Sequence, residues 1–168
     1  DFQLLCAVRR GAWGVEGLNE RVARVLHNAG LIDSQQPWYE GRPVLVTRND
    51  YGLGLMNGDI GIPLARPVAG QGGRLAWSPR VAFAAGDGSQ GIRWVLPSRL
   101  QAVESVFALT VHKSQGSEFA HAAMIVPDAL SPMLTRELIY TGITRAKSWF
   151  TLALAQRRAD ATLAARTA

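Results

Sequence analysis

The sequence predicts an α/β domain built on a parallel sheet, with a small antiparallel β-barrel inserted into it. Three observations predict this. Short, nearly continuous apolar runs at 2–8, 106–109, 122–126 and 149–154 read as strands buried on both faces. Polar loops and stretches of helical period separate most of them, as in crossover units. From 41 to 100 the character changes: 11 of the 17 glycines and five of the eight prolines fall there, and no helical period survives.

The elements follow in order. Residues 2–8 form the first strand, and Arg9-Arg10-Gly11 the loop at its carboxyl end. Val15, Leu18, Val22, Val25, Leu26 and Ala29 recur at spacings of three and four, the stripe of an amphipathic helix, with Gly30 placed to cap it. After Ser34-Gln35-Gln36-Pro37 come β-like runs at 43–47, 59–62, 80–84 and 92–96. Asn57-Gly58 and Asp87-Gly88 are tight-turn dipeptides, because both residue types tolerate positive φ. The α/β pattern resumes at Val106, and the 122–126 strand is ended by Pro127. Thr135 is placed to cap a helix with Leu138, Ile139, Gly142 and Ile143 facing inward. The 149–154 strand follows, and the Ala-rich tail from Arg157 suits a helix. The expected division is 1–40 with 101–168 as one domain and 41–100 as the insert.

Composition narrows the partners. The 168 residues carry 18 Lys+Arg against 13 Asp+Glu, and 16 of the cations are Arg. The insert holds seven cations and three anions, so most of the net +5 lies there. Arg's planar fork suits bidentate phosphate contacts, although a coding bias towards Arg, Ala and Gly gives the same composition. Cys6 is the only cysteine and lies in an apolar run, so no internal disulfide forms and a reducing, cytoplasmic setting is expected. No apolar stretch approaches the ~20 residues of a membrane helix. The start at Asp1 shows neither Met nor a signal pattern, as expected of a piece cut from a longer protein at a domain boundary.

Two polar stretches carry the candidate chemistry. The first is Thr110-Val111-His112-Lys113-Ser114-Gln115-Gly116-Ser117-Glu118-Phe119, between two apolar runs. It reads as a loop at the carboxyl rim of the sheet, where ligands of open α/β sheets sit. Thr110, His112, Lys113 and Ser114 place donors in a row suited to the phosphates of a single strand. Glu118 suits a ribose hydroxyl or is an ordinary Glu at a helix start, and Gly116 lets backbone approach a nucleotide. The second stretch is Glu137-Leu138-Ile139-Tyr140-Thr141-Gly142-Ile143-Thr144-Arg145-Ala146-Lys147. Arg145, near a helix end, either answers the helix dipole, worth about 0.3–1 kcal/mol, or points across a cleft at a γ-phosphate.

Arg9 and Arg10 reach phosphate from the same edge or are solvated loop cations. Trp38, Trp77 and Trp94 offer stacking platforms for bases or fill the barrel core. No Gly-x-x-x-x-Gly-Lys-Ser/Thr phosphate loop occurs, so the chain completes a nucleotide site rather than owning one. His27, His112 and His121 with Cys6 show no metal-ligand spacing, so no metal site is expected. Ser114 has no evident base and orienter in sequence.

At these residues the chain resembles the superfamily 1 helicases, within them the RecD family of exodeoxyribonuclease V subunits. The stretch from Thr110 resembles helicase motif V, and that from Glu137 resembles motif VI. Leu4-Leu5-Cys6-Ala7-Val8-Arg9-Arg10-Gly11, running on to Gly17-Leu18-Asn19-Glu20, is similar to the motif IV region. Trp38-Tyr39-Glu40-Gly41-Arg42-Pro43-Val44 and Arg48-Asn49-Asp50 through Asn57-Gly58-Asp59-Ile60-Gly61 resemble the start of an SH3-like insert.

The resemblance covers 2–155 and implies a second RecA-like motor domain carrying an SH3-like β-barrel. It implies that Arg145 reaches the γ-phosphate of ATP with help from Arg9, that Gly116 and Glu118 contact the nucleotide, and that Thr110 and His112 contact DNA. Lys113, Ser114, Arg48 and Asn49 are expected to add to the DNA contacts. ATP with Mg2+ is expected to be held mainly by an N-terminal motor domain of the same chain, upstream of Asp1, and the fragment alone to be inactive. RecB, RecC and a DNA end are the implied partners of this 5′→3′ motor. A stand-alone RecD-like helicase, a nucleic-acid-binding module and a protein-docking domain are the rivals.

Overall fold

Leu5 and Cys6 are wholly buried, as an apolar strand covered on both faces requires. The computed structural model describes residues 1–69, 75–85, 91–127 and 134–154. In chain order the elements are β1 (Phe2–Cys6), α1 (Val15–Asn28), β2 (Val44–Val46), β3 (Ile60–Ala69), β4 (Leu75–Ala84), β5 (Ile92–Val95), β6 (Val103–Ser105), β7 (Ala108–Thr110), β8 (Phe119–Val126), α2 (Arg136–Ile143) and β9 (Ala146–Leu154). The Asp87-Gly88 turn and the tail helix lie outside the described residues. Two compact units result: Asp1–Arg21 with Phe107–Ala168, and Val22–Val106. Among the described residues no helix is long and apolar enough to cross a membrane.

The first unit holds the parallel sheet, in the order β7-β1-β8-β9. On one face Leu18 and Val15 of α1 pack over Cys6, Ala108, Leu4 and Ile125. On the other, α2 comes so close that a Cβ at Gly142 would stand 2.9 Å from the Met124 sulfur. At the outer edge of β7 a side chain replaces a strand. Asn19 of α1 accepts from the Ala108 N–H at 3.0 Å and donates to the Ala108 carbonyl at 3.0 Å. Its amide thus makes the pair of bonds that a neighbouring strand would make, and it lies almost wholly buried.

Burial also pushes the Cys6 thiol up from 9.0 to about 12. The folded state therefore holds this proton longer than the unfolded chain does. Its contribution is complete below about pH 9 and fades as pH rises towards 12, by about 1.4 kcal/mol per pH unit. Denaturant unfolding between pH 8 and 11 is expected to show that loss in the parent, and Cys6→Ala to flatten it (roughly, by the same slope).

The second unit holds an antiparallel sheet, in the order β5-β4-β3-β2-β6. Its core is Val44, Val46, Leu55, Val81, Phe83 and Val95, with Trp38, Leu53, Leu100 and Val103 packed against it. No closed barrel forms among the described residues: β5 and β6 end the sheet without pairing with each other. With four and three residues, these edge strands are too short to carry a ladder round. Val95 of β5 and Val103 of β6 nevertheless share the one apolar cluster.

The hairpin of β3 and β4 is longer than the sequence suggests, ten residues in each strand, despite Pro63, Pro67 and Pro79. Backbone parity explains the tolerance. The Pro63 carbonyl accepts from Gly41 N–H, and Ala65 N–H donates to the Glu40 carboxylate, so this parity of β3 faces away from β4. Pro67 shares that parity, and Pro79 stands opposite Ala65 in the ladder. No proline removes a bond of this hairpin.

Gly61 lies under the ring of fully buried Phe83, where an added Cβ would stand 2.5 Å from Cε1. Gly61→Ala is expected to destabilise the second unit by about 1–3 kcal/mol, read as a lower urea midpoint.

Candidate functional site

The loop after β7 is built by short-range bonds. Val111 N–H donates to the Cys6 carbonyl at 3.1 Å, extending the β1–β7 pairing by one residue. The chain then turns back: Ser114 N–H donates to Thr110 O at 3.2 Å, Gln115 N–H to His112 O at 3.3 Å, and Ser117 N–H to Ser114 O at 3.0 Å. Lys113 N–H donates to Thr110 Oγ1 at 3.2 Å, so that hydroxyl serves the turn. His112 and Lys113 face solvent, and Thr110 is half-buried.

Ser114 departs from expectation. It is completely buried, and its hydroxyl donates to Val111 O at 2.7 Å. It fastens the loop from behind instead of facing a strand of DNA. Gly116 has φ +87°, and nothing lies within 4 Å of where a Cβ would stand, so its backbone is open to approach.

The second stretch folds as expected at its start. Thr135 caps α2, its Oγ1 accepting from Leu138 N–H at 3.2 Å. Hydrogen bonding from its own backbone N–H, then from Thr135, holds the Glu137 carboxyl below its usual range. At the other end the Arg145 guanidinium closes the helix, with Nε donating to Thr141 O at 3.3 Å and Nη2 to Thr144 Oγ1 at 3.2 Å. Its third bond leaves the helix: Nη1 donates to Ser117 O at 3.1 Å. The Arg145 carbonyl also accepts from Phe119 N–H at 2.8 Å. One residue therefore joins the two polar stretches, with its fork held by neutral oxygens. Glu118 beside it meets Lys147 at 3.6 Å, both exposed.

The parallel topology corrects the expectation of a single rim. Glu118 and Arg145 precede the amino ends of β8 and β9, whereas Thr110 is the carboxyl-terminal residue of β7 and Arg9 follows the carboxyl end of β1. Cys6 pairs with Ile125, six residues beyond Phe119, which puts roughly 20 Å of strand between the two ends. The structure does not gather Arg9 with Arg145. Arg9 meets Glu16 at the start of α1, 3.5 Å away.

Arg48 and Asn49 belong to the second unit. Asn49 organises a turn there, its Oδ1 accepting from Asn57 N–H at 2.7 Å and its Nδ2 donating to the Tyr51 hydroxyl at 3.2 Å. Arg48 is exposed. Trp38 packs on the core with Arg42 over its ring, and Trp77 stands 71% exposed. Asn19, which seats β7 and with it the loop, carried only a faint sequence signal: a polar residue beside Leu18 on the apolar stripe.

Residues 105–153 match the UvrD-like helicase C-terminal domain. The RecD subunit of the RecBCD enzyme of Haemophilus influenzae is 40% identical over 154 residues, 90% of this chain and 21% of that protein. RecD of Mycobacterium tuberculosis H37Rv is 44% identical over 147 residues, 88% of this chain and 24% of that protein. The chain belongs to the RecD family. It spans between a fifth and a quarter of the length of these RecD relatives. The ATP-dependent RecD2 DNA helicase of Deinococcus radiodurans is 34% identical over 151 residues, 88% of this chain and 19% of that one. In fold, this RecD segment is similar to the Pif1 helicase of Candida albicans, with a TM-score of 0.56 at 15% identity over 98% of this chain and 49% of that one. The chain thus shares a fold with that part of the Pif1 helicase.

Proposed function

We propose that this chain is the second motor half of an ATP-dependent 5′→3′ DNA helicase, acting as the RecD subunit of exodeoxyribonuclease V in double-strand-break repair. One observation carries the reading: the Arg145 fork touches the motif V loop at Ser117, so nucleotide-reaching and strand-reaching residues form one mechanical unit. The three acceptors that hold the guanidinium are neutral, and a phosphate offers stronger, charge-assisted bonds. Arg145 can therefore exchange Ser117 O for a γ-phosphate presented by another segment, stabilising the charge that develops in phosphoryl transfer.

The residues present suit the edge of a nucleotide: Gly116 with open space above its backbone, Glu118 next to it, and Arg145 in reach of the same loop. Bound ATP would supply the phosphoryl group, with Mg2+ held mainly by the N-terminal motor domain. This chain orients the nucleotide and contributes positive charge at its terminal phosphate. Withdrawal of Arg145 from Ser117 O frees the loop that presents Thr110, His112 and Lys113 to a single DNA strand. Ser114 stiffens that loop, and Arg9 is left out of the nucleotide site.

The functional division is 1–40 with 101–168 as motor and 41–100 as an SH3-like insert, with Arg48 as its expected DNA contact and Asn49 shaping the turn beside it. RecB, RecC and a DNA end are the partners. The Haemophilus influenzae and Mycobacterium tuberculosis RecD subunits are more similar to this chain than RecD2 is, but the two Buchnera aphidicola RecD subunits, at 31% and 33%, are not, so a stand-alone RecD-like helicase is the alternative context. Without a phosphate loop the isolated chain is expected to hydrolyse no ATP. The test is Arg145→Ala in the full-length protein, read as strand-stimulated ATP turnover; unaltered turnover ends the reading.

A further inference from the structure

Strand alternation sends Val81, Phe83 and Val95 of the second unit into its core, and turns Ala82, Ala84 and Trp94 to the opposite face of the sheet. Ile62 stands opposite Ala82 in the ladder, Ala82 opposite Trp94, and Ala84 opposite Ile92. On that face Ile60, Ile62 and Leu64 of β3 stay 42%, 43% and 40% exposed, and Ile92 of β5 59%. Contiguous exposure of this kind marks a binding surface, whereas single exposed side chains do not. The residues enclose an open trough of about 420 Å3, with alanines for its floor and isoleucines for its walls. No charged side chain lines it among the described residues.

Charge gathers at one end. Arg80 lies opposite Leu64, and Arg66 follows two residues on along β3. Neutral partners hold both: Arg66 lies over the Trp94 ring, 5.0 Å from its centroid, and Arg80 donates to Ser78 Oγ at 2.6 Å and Pro79 O at 3.0 Å. The strands of this sheet carry a single carboxylate, Glu104, on β6 beyond buried Leu45. The trough spans two strand spacings, roughly 10 Å from β3 to β5, which is the width of one α-helix. A phosphate backbone finds no cation along its floor, while a row of leucines finds apolar contact throughout. We propose that this trough docks an acidic amphipathic helix of a partner protein. Its apolar stripe lies over Ala82 and Ala84, and its carboxylates and negative dipole end face Arg66 and Arg80. The proposal stands without the motor reading, since Arg145 plays no part in it.

The experiment titrates the 168-residue chain into a fluorescein-labelled helical peptide of about 18 residues, with leucines on one face and glutamates beside them, read as anisotropy. A shuffled peptide of the same composition is expected to bind about ten-fold more weakly, and so is a striped peptide with lysines for glutamates. The paired substitutions Ile62→Thr and Ile92→Thr keep β-branched residues in both strands and are expected to weaken the glutamate peptide about ten-fold. Arg66→Gln with Arg80→Gln is expected to erase the preference for glutamate over lysine and leave the need for a stripe. The melting curves should stay that of the parent; if the isoleucine pair does not fold, Ile92→Thr on the edge strand alone carries the test.

Equal binding of striped and shuffled peptides would overturn the proposal, as would parent-like affinity in the folded isoleucine variant or no binding of the striped peptide at millimolar concentration. Self-association of the parent that the isoleucine variant loses would assign the face to a second copy instead. Striped peptide bound by the 168-residue chain but refused by the full-length protein would assign it to another segment of the same polypeptide.

Discussion

Arg145→Ala in the full-length protein is expected to lower strand-stimulated ATP turnover by roughly 10³-fold or more, the scale on which a transition-state guanidinium acts. Because the charge matters chiefly after the nucleotide is bound, kcat is expected to fall far more than KM rises. The same side chain also closes α2 and grips Ser117 O, so a local unfolding effect has to be separated. Arg145→Lys does so. Lysine keeps the charge but cannot hold Thr141, Thr144 and Ser117 with one planar fork, and it is expected to recover only part of the rate. Two variants equally dead with lowered melting points would point to structure; two equally active would remove Arg145 from the chemistry.

The largest expected loss of stability is at Asn19. Replacing it with Leu leaves the N–H and C=O of buried Ala108 without partners, each worth about 1–3 kcal/mol when orphaned inside a protein. A total of about 2–6 kcal/mol is expected, read as a lower urea midpoint for the parallel-sheet unit. Asn19→Asp tests the geometry from the other side. It keeps the acceptor for Ala108 N–H but sets a carboxylate oxygen against the Ala108 carbonyl, and it is expected to be no better than Leu. An unchanged midpoint in both would mean that water replaces the amide at this edge.

Much of the fold was legible because local chemistry and burial agree. The run from Phe2 to Cys6 could only be a doubly covered strand, Thr135 caps α2 as its position suggests, and Gly30 and Gly58 adopt positive φ. What was illegible depended on backbone direction or on distant partners. The β-like runs expected at 59–62 and 80–84 leave out Pro63, Pro67 and Pro79, because parity relative to a partner is not written in sequence. Ser114 looked like a surface donor among polar neighbours, while its hydroxyl turned inward to Val111 O. The resemblance implies that Arg9 helps Arg145, but parallel strands carry the two to opposite ends. The acceptor that joins the two motifs is the Ser117 carbonyl, which every residue possesses and no pattern can single out.

The solitary thiol offers one more use. Cys6 sits mid-sheet at zero exposure, and the antiparallel unit contains no cysteine at all. An alkylating reagent can therefore reach sulfur only when the parallel sheet itself opens, whatever the five-stranded unit is doing. The native chain thus comes with a built-in clock for one of its two halves, and ATP, DNA or a partner subunit that steadies that half should slow it without any label being engineered in.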